Sequence, residues 1–545
     1  MDWMLGFLVA MSVTMALIPP LMQMAGRWQV LDAPGERKVH ATPIPRVGGI
    51  AMAFGLLLGL AFFGDFAQPM PAYLAGVIVL LIFGVLDDRF TLTAGQKFAG
   101  QILATLLVML WGDISIDSLT LVERHQLPAW IAAPLTFLFI LGVTNAINLA
   151  DGLDGLAGGT TLLSLSALAL LSLKAGHPFV GAVAVTGVGA ILGFLRFNTH
   201  PARVFMGDGG SQLLGFSAGV LAIVLTQEKS SPLSTALPLL LLGVPIIDTL
   251  MVMARRILAR RSPFVADRNH IHHRLLTYGF DHHEAVVVIY CLQALLFVAA
   301  WFLRFESDLL IITVFCACAV CVVATLHCAT RHSWTFRRAG SHAVHATSLG
   351  RAVHWSTRPQ RLPRWALITI AVALSVYFLA VGIALPSPSL DVRIMAIVLT
   401  TILVHALVWH WSREQAGWLE KGALYTAVVM AVYFDAKDDL GVSELLAAGE
   451  WIIFIALAVA VVVRFRLSSD RRFQITSLDV LVVFAAIAVP NLPGALSGPL
   501  VGTSMAKLIA LLYGLESLLG APGRMWRIPC VACLALSLMC ALRGV

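Results

Sequence analysis

Charge is what this sequence has least of. Asp, Glu, Lys and Arg make up only 12% of its 545 residues, against 59% hydrophobic. Soluble domains run near about 25% charged, so a soluble globular chain is excluded and a polytopic membrane protein is indicated. Counting one domain per ~150 residues then loses its meaning, because the core is a helix bundle in lipid. The opening stretch, MDWMLGFLVAMSVTMALIPPLM, lacks a basic segment and a small-residue cleavage site. It reads as an uncleaved first helix rather than a signal peptide. Cysteine is scarce too, and the eight present sit almost wholly in apolar runs. Cys316, Cys318 and Cys321, like Cys530 and Cys533, read as small packing residues, not as a disulfide framework or metal site. There is no internal repeat.

What is abundant is apolar length. Runs of about 17–22 residues predict an all-α fold of roughly 18 transmembrane helices. Eleven are centred near residues 14, 56, 79, 105, 137, 165, 187, 219, 243, 294 and 318, and seven near 375, 402, 428, 457, 484, 508 and 535. If the chain starts outside, the inside loops hold 29 of the 37 Lys and Arg, which sets orientation by the positive-inside rule. Three parts are expected: a membrane domain over 1–328, a basic His/Arg-rich cytoplasmic linker over 329–365, and a second membrane bundle over 366–545. The second bundle shows no dense polar motif, and the Arg464–Arg472 cluster reads as topological or as a contact for anionic lipid.

The inside loops of the first bundle carry the chemistry. In Asn145–Gly159, NAINLADGLDGLAGG, the polar residues Asn145, Asn148, Asp151 and Asp154 recur every third position. A helical backbone would line them along one face. Two carboxylates and two carboxamides at a membrane helix end are costly, which marks a functional site; the alternative is a polar turn between helices. Asp87-Asp88 closes another apolar run. Adjacent carboxylates repel unless a cation sits between them or one holds a proton. Mg²⁺ bound by a few carboxylates and substrate phosphates meets that need; an acidic turn neutralised by Arg89 is the structural alternative.

Asp208, in the segment Gly207–Ser211 (GDGGS), is either an ordinary capping acid or part of a glycine-exposed phosphate cradle. Phe205 beside it could stack on a base or simply pack. The HIHH run, with His270, His272 and His273, lacks the longer-range ligands of a zinc site. Histidine donors for a diphosphate or sugar fit better, against the alternative of a solvated basic loop. Acids for Mg²⁺ together with basic donors for developing phosphate charge describe phosphoryl transfer at the membrane surface.

Taken in order, LDxPxxRKxHxxPxPRxGG, DD, NxxNxxDGxDGLAGG, FN…FMGDGGS and HIHH resemble the polyprenyl-phosphate N-acetylhexosamine-1-phosphate transferases, the membrane family that includes MraY and WecA. The resemblance covers about residues 1–330. HIHH after Asp267-Arg268 looks like the WecA branch, since the HHH form is absent. The resemblance implies transfer of an N-acetylhexosamine-1-phosphate, GlcNAc-1-phosphate foremost, from a UDP-sugar to undecaprenyl or another polyprenyl phosphate. UMP leaves, and a lipid-linked surface polysaccharide begins.

By that resemblance Asp87, Asp88, Asp151 and Asp154 are catalytic, the first two placing or deprotonating the lipid phosphate and the last two orienting nucleotide or metal. Asp208 and Asn148 would ligate Mg²⁺, with Mn²⁺ as the other candidate ion. Lys38, His40, Lys97, Asn145, Asn198, Phe205, His270, His272 and His273 would bind substrate. The implied partners are a UDP-N-acetylhexosamine and membrane polyprenyl phosphate, with no nucleic acid. A homodimer stays open, as does docking of polysaccharide-assembly proteins on the C-terminal bundle. The expected location is the inner membrane, with the site on the cytoplasmic face. Two other classes compete: a lipid-linked oligosaccharide transporter or polymerase, and an inactive membrane scaffold. A transporter would place its charges at mid-membrane in broken helices, whereas these crowd one rim.

Overall fold

The computed structural model describes residues 3–32, 42–61, 67–120, 124–228, 231–260, 262, 269–335, 361–384, 388, 390–409, 417–437, 444–467, 481, 499–519, 521 and 525–543. Packing divides the chain into two units: Met1–Ser341 with Thr476–Leu481, and His342–Ile475 with Val482–Val545. Most of the expected linker at 329–365 lies outside the described residues.

Helix dominates because a backbone in lipid must satisfy its own hydrogen bonds. The first unit holds α1 (Trp3–Trp28), α2 (Gly48–Ala61), α3 (Met70–Phe90), α4 (Ala94–Leu110), α5 (Ala129–Ala150), α6 (Leu156–Ala175) and α7 (Pro178–Asn198). It continues with α8 (Gly207–Gln227), α9 (Pro238–Leu241), α10 (Gly243–Leu258), α11 (Ile271–Thr277), α12 (His282–Leu303) and α13 (Asp308–Arg331). The second unit holds α14 (Arg361–Ala384), α15 (Leu390–Trp409), α16 (Trp418–Lys437), α17 (Glu444–Leu467), α18 (Pro499–Leu519) and α19 (Arg527–Leu542). Among the described residues nine helices are long and apolar enough to cross a membrane, and five shorter ones are apolar. The chain is an all-α, multi-pass membrane protein. Seventeen of the expected span centres fall on helices or, near residue 243, on the break between α9 and α10. The one near residue 484 lies outside the described residues.

In the first unit α8 forms the axis: it packs on α2, α3, α5, α6 and α7, and 94% of its most apolar window is buried. Alternation of direction then sorts the polar residues. Helices α1, α3, α5, α7 and α10 finish at one end of the unit, where α2, α4, α6, α8 and α12 begin. At that end the pair β1 (Leu31–Asp32) and β2 (Ile44–Pro45) is antiparallel. The span centred near 243 is not continuous: Pro238, Gly243 and Pro245 split it into α9 and α10 around Leu242. The opposite end carries the hairpin of β3 (Ser118–Thr120) and β4 (Arg124–Gln126). Buried Asp308 ties that end together, accepting from the hydroxyls of Ser234 and Thr235 and from the amides of Thr120 and Ala236.

The second unit packs α14 against α17, α18 and α19, with α16 on α18 and α15 on α19. Its interior is apolar around one ion pair, Lys507 Nζ to Asp435 Oδ2 at 2.6 Å, with Tyr377 also donating to Asp435 at 3.2 Å.

Candidate active site

The site is built from helix ends. Helix α3 runs out at Thr91, whose amide bonds back to the Asp87 carbonyl. Thr93 restarts the chain as α4 with a capping box, its hydroxyl accepting from the Gln96 amide and the Gln96 side chain accepting from the Thr93 amide. This tight reversal sets Lys97 beside the acids of the preceding helix. Lys97 Nζ lies 2.5 Å from Asp87 Oδ2 and 2.8 Å from Asp208 Oδ2, bridging α3 and α8. Asp88 faces the start of α8, where its Oδ1 accepts from the Asp208 amide at 3.2 Å. Arg46, bonded to Asp32, stands 3.7 Å from Asp88 Oδ1.

Asp208 does not cap its helix: the N-cap is Met206 and no side-chain cap bond is made. The carboxylate instead meets Lys97 and, at 3.5 Å, Asn148 Nδ2, which also donates to Ser211 Oγ at 2.7 Å. The approach of α3 to α8 depends on Gly84. A Cβ there would lie 2.1 Å from Gly209 Cα, so no larger residue fits without parting the two helices.

The polar stripe of Asn145–Gly159 is only half realised. Helix α5 ends at Ala150, and Asp151 to Gly155 form a turn into α6, with Gly155 at φ +80°. The four polar residues therefore do not share a face, as their spacing predicted, and they separate in function. Asn145 exchanges hydrogen bonds with Gln101 of α4, at 2.7 and 3.3 Å. Asn148 reaches Asp208. Asp151 stays near the acids; burial first, then the charges of Asp208 and Asp154, push its carboxyl up to about 7 against the pull of Arg46. Asp154 turns away, to His200 Nδ1 at 2.7 Å and the Ala202 amide at 3.0 Å. Burial alone would raise this carboxyl, but the His200 ring, the Ala202 amide and His282 together hold it below its ordinary value.

The turn is anchored on both sides. Asn198, 2% exposed, accepts from the Gly155 amide and donates to the Val204 carbonyl, each at 2.9 Å. Tyr290 donates to the Gly155 carbonyl at 2.6 Å. Phe205 joins the rim by backbone, its amide bonding Pro45 and its carbonyl accepting from Gly48.

His270 and His272 lie buried at the start of α11, and His273 is half-buried. His272 Nε2 points at Gly152, so the imidazole backs the turn; burial, with His273 next, depresses its pKa to about 3. His270 Nδ1 meets Asp248 Oδ2 at 2.8 Å, and Asp248 Oδ1 accepts from the Ile271 amide at 2.7 Å. Asp248 was missed in the sequence, although a lone acid in the apolar run of α10 is itself a signal. Lys38, His40, Asp267 and Arg268 lie outside the described residues.

An ammonium bridging two carboxylates marks where a cation is favoured. The donor set at that point, Asp87 and Asp208 with the Asn148 amide alongside, is hard oxygen, which fits Mg²⁺ or Mn²⁺. Acids and a lysine gathered at the rim of a lipid-embedded bundle define an integral-membrane enzyme of the transferase class.

Comparison with known proteins agrees. A profile described as glycosyl transferase family 4 matches residues 70–226. The chain is 36% identical over 303 residues to a probable undecaprenyl-phosphate N-acetylglucosaminyl 1-phosphate transferase of Bacillus subtilis (strain 168), covering 55% of this chain and 84% of that protein. It is 32% identical over 318 residues to a decaprenyl-phosphate N-acetylglucosaminephosphotransferase of Mycobacterium tuberculosis (strain ATCC 25618 / H37Rv), covering 52% and 78%. It is 31% identical over 277 residues to an undecaprenyl-phosphate alpha-N-acetylglucosaminyl 1-phosphate transferase of Escherichia coli (strain K12), covering 49% and 74%. The chain belongs to this family of polyprenyl-phosphate N-acetylhexosamine-1-phosphate transferases.

Proposed function

We propose that the protein transfers GlcNAc-1-phosphate from UDP-GlcNAc to a polyprenyl phosphate at the cytoplasmic face of the inner membrane, releasing UMP and starting a lipid-linked polysaccharide. The carrying observation is the convergence of Asp87, Asp88, Lys97, Asn148 and Asp208 from four helix ends. The reading draws further support from the names of the relatives and from the basic bias of the loops at that end.

In this reading a lipid phosphate oxygen attacks the sugar-bearing phosphorus of the UDP-sugar, the bond to the UMP oxygen breaks, and UMP departs. Asp87 or Asp88 accepts the proton of a monoprotonated lipid phosphate. Asp208 and Asn148 would hold Mg²⁺, which when bound neutralises developing phosphate charge. Lys97 holds Asp87 and Asp208 in register and supplies a positive charge to the phosphates. Asp151 and Asp154 orient the nucleotide, and Asn198 fixes the turn that carries both.

Detergent-purified protein given UDP-GlcNAc, polyprenyl phosphate and Mg²⁺ is expected to release UMP. Asp208→Asn is expected to abolish release while leaving the size-exclusion profile and melting temperature intact. No UMP from any of several UDP-N-acetylhexosamines would overturn the assignment, and a fully active Asp208→Asn would remove that acid from the site.

A further inference from the structure

The turn between α5 and α6 aims its second acid away from the carboxylate cluster, into a different group. Asp154 Oδ2 lies 2.7 Å from His200 Nδ1 and 3.9 Å from His282 Nε2, and one ligand atom from each residue lies within 4.8 Å of the other two. The three residues come from separate elements: the α5–α6 turn, the segment after α7 and the first residue of α12. The two imidazoles are stacked, with centroids 4.2 Å apart and planes at 21°.

The tautomer of His282 adds a second observation. Its Nε2 accepts from the Asp154 amide at 2.9 Å, so the lone pair faces into the group and the proton sits on Nδ1. That Nδ1 is buried and makes no hydrogen bond. A buried donor left unpaired calls for an explanation, and a bound ion is one of the recognised ones. The side chains of Asp154 and His282 are 16% and 11% exposed, whereas His200 is 41% exposed and gives the group an entrance from solvent.

We propose that Asp154, His200 and His282 bind a first-row transition divalent cation, Zn²⁺ foremost, at a site separate from Asp87 and Asp208. Two imidazole nitrogens and one carboxylate oxygen suit a borderline-soft ion, whereas Mg²⁺ prefers an all-oxygen shell. Three protein ligands leave a fourth tetrahedral position open to water or to a ligand. On the proposed function, which this consequence rests on, Asp154 faces the nucleotide, so the ion opposes UDP-sugar binding.

The test measures bound metal directly. Chelator-stripped full-length protein is dialysed against Zn²⁺ in excess Mg²⁺ and assayed by elemental analysis, with Co²⁺ absorption as a check on tetrahedral nitrogen and oxygen ligation. A single equivalent of Zn²⁺ is expected to be retained. His200→Ala and His282→Ala should each weaken binding by at least about 10–100-fold, the loss seen even for outer-shell partners of a metal. Asp208→Asn should bind Zn²⁺ as the parent chain does. If His282→Ala does not fold, as judged by size exclusion, the exposed His200→Ala together with His282→Gln carries the test. Zn²⁺ retention unchanged by these histidine substitutions, or no retention above the His200→Ala/His282→Gln double variant, would overturn the site. Because bound metal is read without turnover, zinc retention in a chain that releases no UMP would sink the transferase reading alone, and UMP release without zinc retention would sink this site alone.

Discussion

Gly84 offers the sharpest handle on how packing serves chemistry. An added Cβ at this position would sit 2.1 Å from Gly209 Cα and 2.5 Å from Gly209 N, where ordinary contact begins at 3.4 Å. The obstacle is backbone, which cannot swing aside as a side chain would. Helices α3 and α8 must therefore part by on the order of 1 Å in Gly84→Ala, and overpacking of that kind costs about 1–3 kcal/mol. The acids lie within one turn of the contact: Asp87 and Asp88 follow Gly84 on α3, and Asp208 precedes Gly209 on α8. Their separation would stretch the 3.2 Å bond from the Asp208 amide to Asp88 and the Lys97 bridge. Misplacement of reacting groups by about 1 Å costs roughly 100-fold in rate. UMP release by Gly84→Ala is thus expected to fall by about two orders of magnitude, with a modest drop in melting temperature. Gly95→Ala, where a Cβ meets nothing within 4 Å, serves as the control and should keep full activity. Near-parental turnover in Gly84→Ala would refute the link between this helix crossing and the acids.

Three further outcomes are expected. Asp248→Ala removes the acceptor of His270 and of the Ile271 amide; at about 1.5–3 kcal/mol per charge-assisted bond it should melt well below the parent in detergent, with Asp248→Asn between them. An unchanged melt would show that Asp248 does not anchor α11. The Asp151 carboxyl, raised to about 7, favours the folded state when protonated, so its contribution is complete below the ordinary carboxylate range and is lost as pH rises through about 7. Asp151→Asn should accordingly melt above the parent near about pH 8 with the gap closing toward about pH 5, and a pH-independent gap would count against it. Asn198→Ala leaves the buried Gly155 amide and Val204 carbonyl without partners, a loss of about 2–4 kcal/mol, and should speed amide exchange at Gly155. Unaltered exchange there would remove Asn198 as the clamp of the turn.

Much of the fold was legible because its governing rule is simple. An apolar run long enough to span lipid becomes a helix whatever its neighbours do, and charge bias in the loops fixes which ends gather. The acids Asp87, Asp88 and Asp208 were visible for a related reason: at the ends of apolar runs they stand out. What the sequence hid was pairing at distance. Lys97 and Asp208 are 111 residues apart and His282 lies 128 beyond Asp154, separations that no local pattern reports. The stripe from Asn145 to Asp154 misled because a three-residue period implies a helix, while Gly152 and Gly155 let the chain leave it after Ala150. The break at Leu242 was obscured because its flanking residues remain apolar on both sides.

The ion pair of the second unit bears on how the chain is put into the membrane. In α18, Lys507 is the ninth of 21 residues, close to the middle of the segment. A lysine there opposes insertion of a lone helix by about 2.5–3.5 kcal/mol. Asp435 and Tyr377 belong to α16 and α14, which precede α18 in synthesis. The acids of the first unit sit at helix ends, where they can rest among headgroups while each segment inserts independently. Helix α18 has no such freedom, so its entry into the bilayer is completed by a partner that was delivered earlier.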